Sequence, residues 1–303
     1  MFTWKNIVKR FPEYDVLCEG AEREIVSSRI TRTGLEFANF FVHRELGAVV
    51  LWGKDEFKYL LQFNMEKIRE ILEKIFQLNP PIIVLSRSFK SYDLLVELAK
   101  KYNVTILSTK ESSANLTNNI NTFLTISLAQ EELIHANLIA IYGLGVLIIG
   151  ASGMGKSETS LELIKKGHMF VADDAVICKN VYGQILGSAP ENFYGFIEVR
   201  GLGIVNVGRV LGIEKIHKTS EINVVIELAE YNPSIHNFER LGKDLQYKEI
   251  LGVKIPYFLL PIAPGKKTSD LIEITVAHLK LLLSGYNSFQ DFIERSKEIE
   301  NDK

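Results

Sequence analysis

Apolar and polar positions along the first 125 residues change period several times, and each change marks an element. Gly47-Ala-Val-Val-Leu-Trp52 is a short apolar run of the kind that forms a buried strand. After Asp55 the apolar positions fall at Phe57, Leu60, Leu61, Ile68, Ile71, Leu72, Ile75 and Phe76, the spacing of amphipathic helices. Asn79-Pro-Pro81 ends that stretch, because a proline disfavours helical geometry in the residue before it. Residues 82–85 read as a second strand and residues 104–107 as a third. Between them a helix starts at Ser91 or Asp93 and runs through Leu94, Leu95, Leu98 and Ala99. Strands alternating with helices predict a parallel sheet. Between Thr109 and Asn121 the chain is polar, with isolated Leu116 and Ile120, and reads as a loop or helix edge near a domain boundary.

From Phe123 the apolar spacing is first helical and then almost continuous, which places the boundary near residue 128. The expected architecture is α/β in two domains: a small N-terminal α/β domain over 1–128 and a larger domain over 129–303. In the second domain residues 145–149 form a buried-type strand, and residues 158–166 a helix with Leu161 and Ile164 apolar. A later helix begins near Ser269 with Leu271, Ile272, Ile274, Leu279 and Leu282, and the last segment is helical through Phe289, Phe292 and Ile293. Trp52, His43 and the Arg29/Arg32 pair could line a ligand site but read more simply as packing and solvated charge, and a regulatory or assembly role for the first domain stays open.

Composition narrows the partners more than the fold. With 35 basic and 37 acidic residues the net charge is -2, so neither nucleic acid nor an anionic membrane is an expected partner. Phosphate must then be gripped by a local site. Cys18 and Cys178 make no disulfide framework and no zinc pattern. The N-terminus lacks the apolar core of a signal peptide, and the longest apolar stretch, residues 144–149, is far short of a bilayer span. A cytoplasmic protein is expected.

Gly150-Ala-Ser-Gly-Met-Gly-Lys-Ser157 is a complete GxxxxGK[ST] match, lying between a predicted strand and a predicted helix. The probability of a random match in a chain of this length is on the order of 1%. Gly150, Gly153 and Gly155 let backbone N–H groups turn inward, with Ala151, Ser152 and Met154 completing the loop. The helix N-terminus favours negative charge there. Lys156 is placed to meet the terminal phosphates and is expected to face solvent, while the Ser157 hydroxyl is a hard ligand for Mg²⁺. Residues 169–174 end in Asp173-Asp174, which should emerge beside the phosphates at the carboxyl end of the strands. One carboxylate is suited to Mg²⁺ and the other to accepting a proton. Adjacent strand residues face opposite ways, so only one should reach a given atom.

His135, in Ile134-His-Ala-Asn137, reads on its own as a core histidine. Glu198-Val-Arg-Gly-Leu-Gly-Ile204 brings Glu198, Arg200, Gly201 and Gly203 into a short loop, either a second Mg²⁺ ligand with a phosphate clamp or a turn with a salt pair. Arg240 precedes Leu241 and Gly242, and Pro261-Ile-Ala-Pro-Gly-Lys-Lys267 looks like a second anion loop.

Five blocks together resemble bacterial HPr kinase/phosphorylase: residues 134–158, 166–174, 198–206, 238–242 and 261–266. They stand in that family's order and spacing. The resemblance implies an enzyme that phosphorylates a regulatory serine of the phosphocarrier HPr with ATP or pyrophosphate. It also implies the reverse phosphorolysis, in which inorganic phosphate yields pyrophosphate. It implies a homohexamer whose C-terminal domain is related to phosphoenolpyruvate carboxykinases. Carried over by position, Lys156 steadies the transferred phosphates, Ser157 and Glu198 ligate Mg²⁺, and Asp174 accepts or returns the proton. His135 and Arg240 join the catalytic set; Asp173, Arg200, Gly201, Gly203, Pro264, Gly265 and Lys266 support it. Residues 197–206 would serve both reactions and residues 261–266 mainly the reverse. Ala151, Ala136, Ala175 and Lys266 depart from the family's usual aspartate, glycine, arginine and arginine. A small-metabolite kinase and a nucleotide-sensing module are the alternatives.

Overall fold

A computed structural model of the chain describes residues 1–38, 47–87, 93–230, 245–262 and 267–301, which fall into two units, Met1–Ala129 and Gln130–Lys303. The first unit runs α1 (Trp4–Arg10), β1 (Asp15–Cys18), β2 (Ile30–Arg32), β3 (Val49–Trp52), α2 (Lys54–Leu60), α3 (Met65–Gln77), β4 (Ile82–Leu85), α4 (Asp93–Tyr102), β5 (Thr105–Ser108) and α5 (Ser113–Ser127). Its sheet has the order β1-β5-β4-β3-β2. β2 to β5 are parallel, as the alternation predicts, and β1 is added antiparallel at the edge. Trp52, Ile83, Leu85 and Ile106 pack with the α3 and α4 residues Leu72, Phe76 and Leu98, whereas Val49, Leu51, Val84 and Leu107 pack with α1 and α5. Both faces are covered, which is why β3 and β4 are apolar at every position.

The polar stretch that reads as a loop or helix edge is the first half of a full helix, α5. The Ser112 hydroxyl caps it by accepting from the Asn115 N–H at 3.2 Å, and Leu116, Ile120 and Leu124 stack at four-residue spacing, all fully buried. One apolar residue per turn suffices when that stripe lies on a sheet. The Trp52 indole is buried and donates to Thr33 Oγ1 at 2.7 Å, while Arg32 forks onto the Glu56 carboxylate at 2.9 and 2.8 Å. Both do structural work, and His43 lies outside the described residues.

The second unit runs β6 (Glu131–Ile134), β7 (Asn137–Ile141), β8 (Leu144–Gly150), α6 (Lys156–Lys165), β9 (Met169–Ala172), β10 (Val176–Val181), β11 (Gln184–Ser188), β12 (Phe196–Val199), β13 (Gly203–Asn206), α7 (Val207–Leu211), β14 (Thr219–Glu230), β15 (Gln246–Ile250), β16 (Val253–Ile262), α8 (Thr268–Leu283) and α9 (Ser288–Asn301). Its nine-stranded sheet is mixed. β14 lies parallel to both β8 and β16, and β7 runs antiparallel to both β8 and β9. Consequently β8, β9, β14 and β16 all end at one edge. Val146 and Ile148 face a core that includes Leu163 of α6 and Val276 of α8; Leu147 faces the opposite core with Cys178 and Ile185. Among the described residues no helix is long and apolar enough to cross a membrane.

Candidate active site

The glycine loop leaves β8 at Gly150, whose φ of +150° suits a residue without Cβ. A Cβ there would lie 2.7 Å from the Leu228 carbonyl, so the close approach of the loop to β14 also demands glycine. Gly155, at φ +77°, caps α6 from the left-handed region and turns the chain so that Lys156 and Ser157 open the helix.

Lys156 is 7% exposed, contrary to the expectation that it faces solvent. Its Nζ donates to the carbonyls of Gly150 (2.9 Å) and Ala151 (3.3 Å) and to His135 Nε2 (3.3 Å). An ammonium has three N–H groups and no lone pair, and here three acceptors surround it. The same geometry leaves His135 Nε2 as the accepting nitrogen and places the ring proton on Nδ1. Nδ1 in turn stands 2.9 Å from the Asp174 carbonyl and 3.0 Å from its carboxylate. His135 is half exposed and lies at this edge of the sheet, not in the core.

The two aspartates do not follow strand alternation, because β9 has ended at Ala172 and Asp174 sits in the left-handed region at φ +65°. That turn sends the side chains to different partners. Asp173 Oδ1 accepts from Ser157 Oγ at 2.8 Å and from Asn137 Nδ2 at 2.6 Å, and its Oδ2 accepts from the Glu198 N–H at 3.0 Å. Burial pushes its carboxyl above its ordinary value and the charge of Asp174 adds to this, against the pull of those three donors. The Asp174 carboxylate is 74% exposed and turned to His135.

Glu198 belongs to β12 and not to a loop. Its backbone closes onto Asp173, its residue is exposed, and Ile204 of β13 pairs with it. Arg200 and Gly201 form the exposed turn of this hairpin and Gly203 opens β13, with Gly201 and Gly203 at φ +82° and +91°. Through Asn137, which donates to Asp173 Oδ1 and accepts from the Asp174 N–H, the structure joins His135, Lys156, Ser157, Asp173, Asp174 and the Glu198 backbone in one hydrogen-bonded set. Arg240, Pro264, Gly265 and Lys266 lie outside the described residues; the strands that precede them, β14 and β16, end at this same edge. Asn137 was missed by motif and periodicity, although an amide opening the apolar run 137–141 was a visible signal. It is fully buried.

A glycine loop between a central strand and a helix, a lysine and a serine in the first helical turn, and a carboxylate pair at a neighbouring strand end define a P-loop phosphotransferase. Residues 126–296 match the family described as HPr Serine kinase C-terminal domain, and residues 2–124 that described as HPr Serine kinase N terminus. An HPr kinase/phosphorylase from Malacoplasma penetrans is 63% identical over 295 residues, 97% of this chain and 98% of its own. Another from Mycoplasma pneumoniae is 36% identical over 299 residues, 97% of this chain and 96% of its own. A solved HPr(Ser) kinase/phosphatase from Coxiella burnetii is 33% identical, covering 50% of this chain and 99% of that one, with a TM-score of 0.47. The chain belongs to the HPr kinase/phosphorylase family and is a serine kinase/phosphorylase.

Proposed function

We propose that this enzyme phosphorylates a regulatory serine of HPr with ATP or pyrophosphate, and removes the phosphate by phosphorolysis, as a cytoplasmic homohexamer that regulates carbon use. The observation that carries the site assignment is His135 bridging Lys156 and Asp174 at the strand ends. In the kinase direction the seryl oxygen attacks the terminal phosphorus, the bond to the leaving phosphate breaks, and Asp174 takes the seryl proton. In reverse, an oxygen of inorganic phosphate attacks the phosphoseryl phosphorus, the seryl oxygen leaves with the proton from Asp174, and pyrophosphate forms. His135 orients Asp174 through Nδ1, and Lys156 meets the phosphates as they settle on the loop. Arg240 adds charge at the transferring group, Arg200, Gly201 and Gly203 serve both directions, and residues 261–266 serve mainly the reverse, meeting the second phosphate.

The residues present fit Mg²⁺. Ser157 gives its proton to Asp173, which leaves its oxygen lone pairs for a cation, and Glu198 offers an exposed carboxylate. Among the described residues no group of three His, Cys, Asp or Glu makes an all-protein cage, the usual situation for an ion that also binds substrate phosphates. Bound there, Mg²⁺ supplies charge neutralisation on the phosphoryl oxygens.

The test is incubation with HPr, Mg²⁺ and γ-labelled ATP, followed by removal of ATP and addition of phosphate. Label entering an HPr serine and leaving as pyrophosphate is expected. Nucleotide binding with no label in HPr would overturn the reading in favour of a sensor, and transfer to a small metabolite in favour of a metabolite kinase.

A further inference from the structure

Asn137 opens β7, an otherwise apolar strand, and is fully buried. A buried amide is costly unless its donors and acceptor are used, and this one uses both ends. Its Nδ2 donates to Ser160 Oγ at 2.9 Å and to Asp173 Oδ1 at 2.6 Å. Its Oδ1 accepts from the Asp174 backbone N–H at 3.2 Å. One side chain therefore ties together α6, the Asp173 carboxylate and the backbone of Asp174.

We propose that Asn137 is a positioning residue for phosphoryl transfer, holding the Asp173–Asp174 turn so that the Asp174 carboxylate meets His135 while Asp173 meets Ser157. The proposal rests on the reading of Asp174 as the proton-accepting group. Its physical basis is the turn itself. A non-glycine residue at φ +65° persists only where its surroundings over-determine it. Around Asp174 those surroundings are the Asn137 amide on its N–H, the Ala136 N–H on its carbonyl at 3.2 Å, His135 Nδ1 2.9 Å from the same carbonyl, and the Ala175 N–H on the Asp173 carbonyl at 2.7 Å. Asn137 is the contact that also grips the neighbouring carboxylate, by a short charge-assisted bond. The Ser160 bond extends that grip to the helix that opens with Lys156 and Ser157. Relaxing the turn would turn Asp174 away from His135 and loosen Asp173 from Ser157, while the glycines of the loop keep their conformation. Small misplacements of a reacting group cost up to roughly a hundredfold in rate.

The experiment compares Asn137→Leu, Asn137→Asp and Ser160→Ala in the full-length enzyme, measuring kcat per folded molecule and nucleotide Kd. Leucine keeps the volume but neither bonds Asp173 nor accepts from Asp174. Aspartate keeps the acceptor and sets a carboxylate against Asp173, so it stands in if the leucine variant fails to fold. Ser160→Ala removes only the link to α6. The expected result is kcat lower by about tenfold or more in both Asn137 variants, a nucleotide Kd that rises by much less than kcat falls, and Ser160→Ala within about twofold of the parent. A purely structural role would reduce the folded fraction and leave kcat per folded molecule intact, which would overturn the proposal. So would an equal kcat loss in Ser160→Ala, or a loss of nucleotide affinity in proportion to kcat. Asp174→Asn keeps the two failures apart: transfer at nearly the parent rate in that variant refutes the underlying reading of Asp174, and its loss alongside fully active Asn137 variants refutes the inference alone.

Discussion

The Nζ of Lys156 lies 3.3 Å from Nε2 of His135, and the other ring nitrogen lies 3.0 Å from the Asp174 carboxylate. These residues come from three separate stretches of chain. The imidazole therefore links Lys156, proposed to meet phosphate, to Asp174, proposed to take the seryl proton, and losing any one of the three should impair transfer.

Lys156→Ala should abolish transfer, with kcat down by about a hundredfold or more, since a fixed charge at the transferring oxygens is lost. The carbonyls it leaves, on Gly150 and Ala151, are not deeply buried, so water can replace the ammonium and the melting temperature should move by only a few degrees. Phosphorylation of HPr at nearly the parent rate would refute the assignment of the loop.

Asp174→Asn keeps shape and removes the base, which should lower kcat by about 10²–10⁴-fold with little change in stability, because the side chain is largely exposed. Asp173→Asn should act differently, introducing an amide where three donors converge and weakening nucleotide binding with Mg²⁺. The check is kcat alongside nucleotide Kd for both variants. Equal small losses would remove Asp174 from the base role.

Acid stability should depend on Glu273 of α8. Burial pushes its carboxyl up, but hydrogen bonds from Lys166 and from His168, 2.7 Å away, outweigh that and hold it below its ordinary value. A lowered carboxyl contributes stability that is complete above the ordinary value and lost as pH falls through the lowered one. Glu273→Gln should cost about 1 kcal/mol, or roughly 2–4 °C, at neutral pH, and the difference should close as pH falls below the ordinary carboxylate range. A difference that stays constant across pH would mean packing and not charge is responsible.

Ile120→Ala should destabilise the first unit by about 2–5 kcal/mol, while Asn118→Ala, on the exposed face of the same helix, should stay within about 0.5 kcal/mol. Denaturant melts of both variants measure it. Similar effects at the two positions would contradict the buried stripe of α5.

How legible each feature was in the sequence follows from the range of the forces that make it. The glycine loop was readable because its backbone needs are local: positive φ at Gly153 and Gly155, close approach at Gly150, and a lysine and serine in the next turn. The strands β3, β4 and β8 were readable because burial on both faces makes every position apolar. α5 was not, since its one apolar residue per turn counts only once a sheet lies beneath it. α1, β1 and β2 carry too few periodic positions to stand out.

In the site, residue types and spacing were enough to name the chemistry: phosphate at residues 150–157, carboxylates at 173 and 174, and the motif blocks that mark the family. That the carboxylates emerge beside the glycine loop was readable from strand topology; the particular contacts that join them to it were not. Asp173 and Asp174 part company because the chain leaves β9 through a left-handed residue, a conformation no alternation rule anticipates. Lys156 turns inward because loop carbonyls and His135 offer all three acceptors, and Asn137 matters only because β7 lies between β8 and β9. Local sterics act within a few residues and leave their mark in the sequence. Contacts among residues 135, 137, 156, 173 and 198 exist only after hydrophobic packing has stacked those strands side by side, and packing is indifferent to sequence distance.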